Sequence, residues 1–126
     1  MAGQNFTEKA LRTIYERGVR TSHPTAVDTV IARAKTVRVH ISLEDIDGTS
    51  ITVTLTAVDP VTGRASATVL ASSALNAAGY VTLTIGPGVA TVANASLQTV
   101  APRILRTTIT GTITDYDVSV VAELID

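Results

Sequence analysis

ITVTLTAVDPVTG, residues 51–63, is the stretch on which the fold class turns. Ile51, Val53, Leu55 and Ala57 alternate with Thr52, Thr54 and Thr56, the two-residue period of a pleated strand with one apolar face. The second half has the chemistry of a tight turn. Pro60 pre-sets φ for the second turn position, the Asp59 side chain can bond the backbone two residues on, and Gly63 accepts positive φ. A type I turn closed by a bulge fits this spacing, so a second strand should return from Ala65. These residues predict an all-β domain and by themselves say nothing of what it does.

Composition agrees with that class. A chain of 126 residues is expected to form one domain around a single core. Hydrophobic residues make up 45% of it and aromatic ones only 3%, with no Trp, so the core must be a thin, regular layer of Val, Ile, Leu and Ala, as between stacked sheets. The absence of Cys excludes a disulfide framework and a thiolate metal site. No apolar run approaches the ~20 residues of a membrane span. The start, MAGQNFTEKA, lacks the apolar centre of a signal peptide, so synthesis in the cytoplasm without secretion is expected.

The net charge of −1 is unevenly spread. Residues 1–35 hold Lys9, Arg12, Arg17, Arg20, Arg33 and Lys35 against Glu8, Glu16 and Asp28, a balance of +3, and the remainder stands at −4. Such a basic segment on an acidic body is either solvated surface or a docking element for an acidic partner.

Along the chain, residues 5–18 read two ways. Ala10, Leu11, Ile14 and Tyr15 share a helical face after a Thr7 cap, with Gly18 as a stop, and this periodicity leans to a short helix or arm. Thr13, Ile14, Tyr15, Val19 and Thr21 are equally strand formers, with Gly18 in a bulge. His23 before Pro24 reads as a turn residue. Residues 26–34 are a candidate short strand.

Residues 35–43 form a clear strand with Val37, Val39, Ile41 and Leu43 inward and Arg38, His40 and Ser42 outward, where His40 is ordinary surface. Residues 44–48, EDIDG, read as an acidic turn without the ligand pattern of a calcium loop. Residues 65–71 and 79–85 are further strands, the latter stopped by Gly86-Pro87-Gly88. Residues 89–100 read as a crossover from one sheet to the other. Strands at 103–110 and 116–124 close the chain around a turn at 111–115, the last with Tyr116, Val118, Val120, Ala122 and Leu124 inward. Short strands at close intervals predict an antiparallel β-sandwich of seven or eight strands, immunoglobulin-like or jelly-roll-like, over 35–126, preceded by a segment 1–34 that is an arm or the first strand.

Chemistry-bearing patterns are sparse. Neither His23 nor His40 stands in a nucleophile–base pattern, the carboxylates cluster in turns, and Phe6, Tyr15, Tyr80 and Tyr116 are too scattered for a nucleic-acid platform. No enzymatic activity, cofactor, metal, nucleic acid or membrane is expected.

Four blocks resemble a known family. Residues 53–63 (VTLTAVDPVTG), 79–88 (GYVTLTIGPG), 101–106 (APRILR) and 119–124 (SVVAEL) are similar in order and spacing to small structural proteins of tailed bacteriophages, described as head decoration or minor virion proteins. The third block departs from that family in having Ile104-Leu105 where it carries a Trp. The resemblance implies a β-sandwich whose opening strand lies near 13–21, and a virion structural role on the capsid surface. It implies the major capsid protein as partner and, by analogy, self-assembly into a trimer. Lys9, Arg12, Arg17, Arg20, Arg33 and Arg38 are then the cations expected to meet the shell. If the N-terminal segment serves as a docking arm, deleting residues 1–22 should weaken shell binding and leave the melting of the sandwich cooperative. The alternative role is a tail, neck or fibre-associated module. A sugar-binding domain is disfavoured by the shortage of aromatic residues.

Overall fold

The computed structural model describes residues 11–31 and 34–125. They form eight strands: β1 Leu11–Tyr15, β2 Val19–Arg20, β3 Val27–Val30, β4 Thr36–Val58, β5 Ala65–Ala71, β6 Gly79–Gly86, β7 Ser96–Gln98 and β8 Ile104–Ile125. No helix occurs among the described residues. All eight strands belong to one sheet with the path β1-β8-β4-β6-β7, while β2 and β3 also border β8 and β5 borders β4. Every pairing is antiparallel except β6 with β7.

The fold is governed by β4 and β8, of 23 and 22 residues, which pair along almost their whole lengths. Straight, such strands would reach about 75 Å at ~3.3 Å per residue. A chain of this size has a radius of gyration of roughly 14 Å. The ribbon must therefore double over, and it does so where its ladder is interrupted. The register shifts between Leu43 and Asp45, between Asp47 and Gly48, and between Gly48 and Ser50. Gly48 and Gly111 hold φ of 141° and 133°, and each lies against the other strand's backbone. An alanine Cβ at Gly48 would stand 2.6 Å from the Ile113 Cα. Two glycines thus let two strands bend together.

The bulges also account for the burial pattern. Glu44 and Thr49 are extra residues on β4, and Thr114 is extra on β8. Two insertions leave the inward set of β4 on odd numbers, with Val37, Val39, Ile41 and Leu43 before the bend and Ile51, Val53 and Leu55 after it. One insertion flips β8 from odd to even, from Leu105, Thr107 and Ile109 to Tyr116, Val118, Val120 and Ala122. The apolar members of both sets join one core cluster. The sandwich is therefore one sheet folded on itself. One layer holds β1, β2, the second half of β8, the first half of β4, β6 and β7, and the other holds β3, the remaining halves and β5.

This corrects two expectations. The stretches at 44–48 and 111–115 are bends inside continuous strands, not turns between strands. The 89–100 segment does not cross between sheets, because β4 and β8 themselves make that passage. It stays beside β6, where the Thr84 amide donates to the Ala95 carbonyl and the Thr99 amide to the Gly86 carbonyl, and it contributes the short β7. Of the ambiguous stretch 5–18, the described part includes a strand and no helix: β1 pairs with β8, and Ile14 and Tyr15 enter the core.

The 51–63 stretch folds as its residues predict. Val61 N–H donates to Asp59 Oδ1 (2.9 Å), Gly63 N–H donates to the Asp59 carbonyl (2.8 Å), and Gly63 holds φ of 74°. Local hydrogen bonds to its carboxylate hold Asp59 below the usual carboxylate range, first the one from the Val61 amide.

One core residue is polar without reward. Thr107 is fully buried, and its Oγ1 has no hydrogen-bond partner. Thr107→Val keeps the shape and removes an unpaired hydroxyl, so it should stabilise the protein by about 1 kcal/mol. A thermal melt would show this as a rise of roughly 3–6 °C. A fall would mean that the hydroxyl is satisfied in solution.

Candidate functional site

Of the six cations singled out in the sequence, Lys9 and Arg33 lie outside the described residues. The other four do not converge. Arg12 stands on β1 opposite Ala122 and donates to the Leu11 carbonyl (3.0 Å). Arg17, between β1 and β2, pairs with Glu44 at 2.9 Å. Arg20 lies opposite Tyr116, donates to the Glu16 carbonyl (2.6 Å), and sits 5.7 Å from the centre of the Tyr15 ring. Its Nε is buried, which makes it a packing element of the β1–β2 corner. Arg38 faces outward on β4, 3.9 Å from Glu123.

Arg38 belongs to a cluster that the sequence did not disclose. On the outer face of the first layer, the ladder sets Arg38 opposite Glu123 and Ser42 opposite Tyr80, with His40 between them on β4. His40 Nε2 lies 2.9 Å from Glu123 Oε1, and Nδ1 meets the Tyr80 hydroxyl. A carboxylate only accepts, so Nε2 carries a proton, and in the neutral imidazole Nδ1 accepts from the phenol. Tyr80, His40 and Glu123 therefore form a directed chain across β6, β4 and β8. The two rings lie nearly parallel, at 20°. His40 and Glu123 are each about a quarter exposed, while Tyr80 is 63% exposed. The outward positions of His40 and Glu123 were legible; their meeting depends on the register of three strands.

The outer face of the second layer is different. Ser50, Thr52 and Thr54 on β4 stand opposite Thr112, Thr110 and Thr108 on β8, an uncharged array of hydroxyls. It ends at Arg106, which grips Asp28 of β3 through two bonds (2.7 and 3.0 Å) and reaches the Gly63 carbonyl at 3.3 Å. The Arg106 guanidinium holds the Asp28 carboxyl below its usual range. At the bend, Asp45 faces Asp117 and Asp47 faces Asp115 across the ladder. Like charges directly opposed cost stability, and they give this ridge a negative field. Among the described residues, no group of three or more His, Asp or Glu side chains is arranged to hold a metal ion.

His23 is more than a turn residue. Its Nε2 lies 2.8 Å from the Gly111 carbonyl and its Nδ1 lies 3.1 Å from the Tyr116 hydroxyl, so it tethers the 21–26 connection to the bend of β8.

The free edges are blunted. β1 carries a register shift and Arg12, β3 has four residues with Asp28 among them, β5 has two register shifts, and β7 has three residues. Short, bulged or charged edges resist pairing with another strand. The broad faces are the surfaces left for contact.

No known family model matches the chain, and no curated protein matches it. Among solved structures, it is similar to the SPBc2 prophage-derived protein YomS, at 14% identity over 89% of each chain with a TM-score of 0.47. A chain from the Bacillus endospore appendages described as disulfide-linked pili is similar at 12% identity, over 90% of this chain and 94% of that one, with a TM-score of 0.31.

Proposed function

We propose that the protein is a structural component of a bacteriophage particle that binds the outer surface of the capsid lattice and stabilises the head. The observation that carries this reading is the set of four resembling blocks and the places they occupy. VTLTAVDPVTG builds the β4–β5 hairpin, GYVTLTIGPG builds β6 and its stop, APRILR opens β8, and SVVAEL lies on its last half. These are frame elements, so the resemblance concerns the whole scaffold rather than one loop.

The role needs no bond-making chemistry. Many identical copies on a repeating lattice add avidity from individually weak contacts. With its edges blunted, each copy would dock by a face. The first-layer outer face, with Arg38 and Tyr80 exposed, has the residue types that dominate interface energetics.

Mixing the purified chain with expanded, undecorated shells and pelleting them tests this proposal. Co-sedimentation that saturates at a fixed number of copies per shell is the expected result. Folded protein that remains in the supernatant would overturn the decoration role.

A further inference from the structure

We propose that Tyr80 is a nucleophilic phenol, activated by His40 as general base with Glu123 positioning the imidazole, and that it is the site at which a neutral activated ester acylates this protein. The inference concerns the free protein, because docking by the first-layer outer face would cover Tyr80. A nucleophile within hydrogen-bond reach of a base, itself oriented by a third group, is the signature of an activated nucleophile. Here the nucleophile is the exposed member of the chain, 63% accessible, whereas Tyr15 and Tyr116 are buried.

The surroundings select the reagent. Ser42, opposite Tyr80, donates to Glu44 (3.2 Å), and Glu123 lies beyond His40. Arg17 is engaged with Glu44, and Arg38 flanks Glu123 rather than Tyr80. Among the described residues no ion pair or cation–π contact sets a cation against the Tyr80 phenol, so the site offers a phosphoryl donor nothing to bind its charge and leaves a neutral acyl donor. In the step, the Tyr80 oxygen attacks the ester carbonyl carbon while its proton passes to His40 Nδ1. The resulting imidazolium is held by Glu123. Collapse breaks the bond to the leaving alkoxide, which takes that proton and departs as the alcohol. The product is an O-acyl tyrosine, with no redox change.

The test is p-nitrophenyl acetate applied to the full chain, with the modified residue located by peptide mass spectrometry. Acetylation should fall on Tyr80 and disappear in Tyr80→Phe. His40→Gln keeps the phenol exposed and removes the base, so labelling should slow at least about tenfold, the low end for general-base catalysis because the site is open to water. Glu123→Gln should slow labelling and displace the inflection of the pH–rate profile, which His40→Gln should abolish. Circular dichroism checks that each variant is folded. If His40→Gln is labelled as fast as the wild type, exposure alone explains Tyr80 and the proposal fails. If that variant does not fold, an unchanged rate and pH profile in Glu123→Gln would overturn it equally.

Discussion

Gly111→Ala is expected to abolish cooperative folding. The residue holds φ of 133°, a conformation that side-chain-bearing residues rarely adopt. A Cβ there would press on the Ser50 carbonyl oxygen and stand 3.0 Å from the Ile51 Cα. Of the two neighbours, Ile51 is held in place. Ile51 is fully buried and is clamped on its far side by paired backbone hydrogen bonds with Leu75, at 3.0 and 2.8 Å. Backbone strain and a backbone clash act at the same atom, so the loss should exceed ~4 kcal/mol, the range of exceptional single mutations. A domain of this size has roughly 5–15 kcal/mol in total. Gly18→Ala is the matched control, since a Cβ there meets nothing within 4 Å. Thermal melts by circular dichroism would compare them: a sharp transition in Gly111→Ala within about 3 °C of the wild type would show that the ribbon bends by another means.

That bend also marks the limit of what the sequence discloses. The alternation of Val37 to Leu43, Ile51 to Leu55 and Tyr116 to Ala122 names the core residues correctly, because a half-buried strand imposes its period locally. The stretches just past Leu43 and Thr110 are less legible. A bulged bend and a reversing turn recruit the same residues, Gly for its φ and Asp for its short polar side chain, so EDIDG and GTITD read as turns. Only the pairing of two segments some sixty residues apart in sequence separates the two cases. The one-residue parity change in β8 is its trace in the chain, visible in retrospect as Ile109 inward and Tyr116 inward. β7 left no signal, being three residues held by β6 in parallel. The Tyr80–His40–Glu123 chain was hidden for the same reason as the bend: the outward faces were readable strand by strand, and the meeting of the side chains is a matter of register.

Removal of residues 1–16 should likewise cost the fold, contrary to the expectation for a dispensable docking arm. Tyr15 is 4% exposed, and its hydroxyl is shared between the carbonyls of Thr25 (2.9 Å) and Thr107 (3.0 Å). One side chain on the edge strand thus ties the β2–β3 connection to β8. Burial pushes its phenol up, with the Arg20 charge opposing, so it remains a protonated donor at neutral pH. Tyr15→Phe deletes the hydrogen bond and keeps the ring, and should cost about 1–2 kcal/mol. Tyr15→Ala also empties a core site and should cost about 3–5 kcal/mol. Truncation adds the loss of Ile14 and of the whole β1–β8 ladder, exposing the backbone of β8 between Val120 and Glu123. The total approaches the roughly 5–15 kcal/mol available, so the truncated chain should show no cooperative urea transition. If it unfolds cooperatively within about 1 kcal/mol of the full chain, β1 is an accessory strand and the sandwich closes without it. Graded losses in the two point variants and collapse in the truncation would instead place the N-terminal edge inside the folding unit.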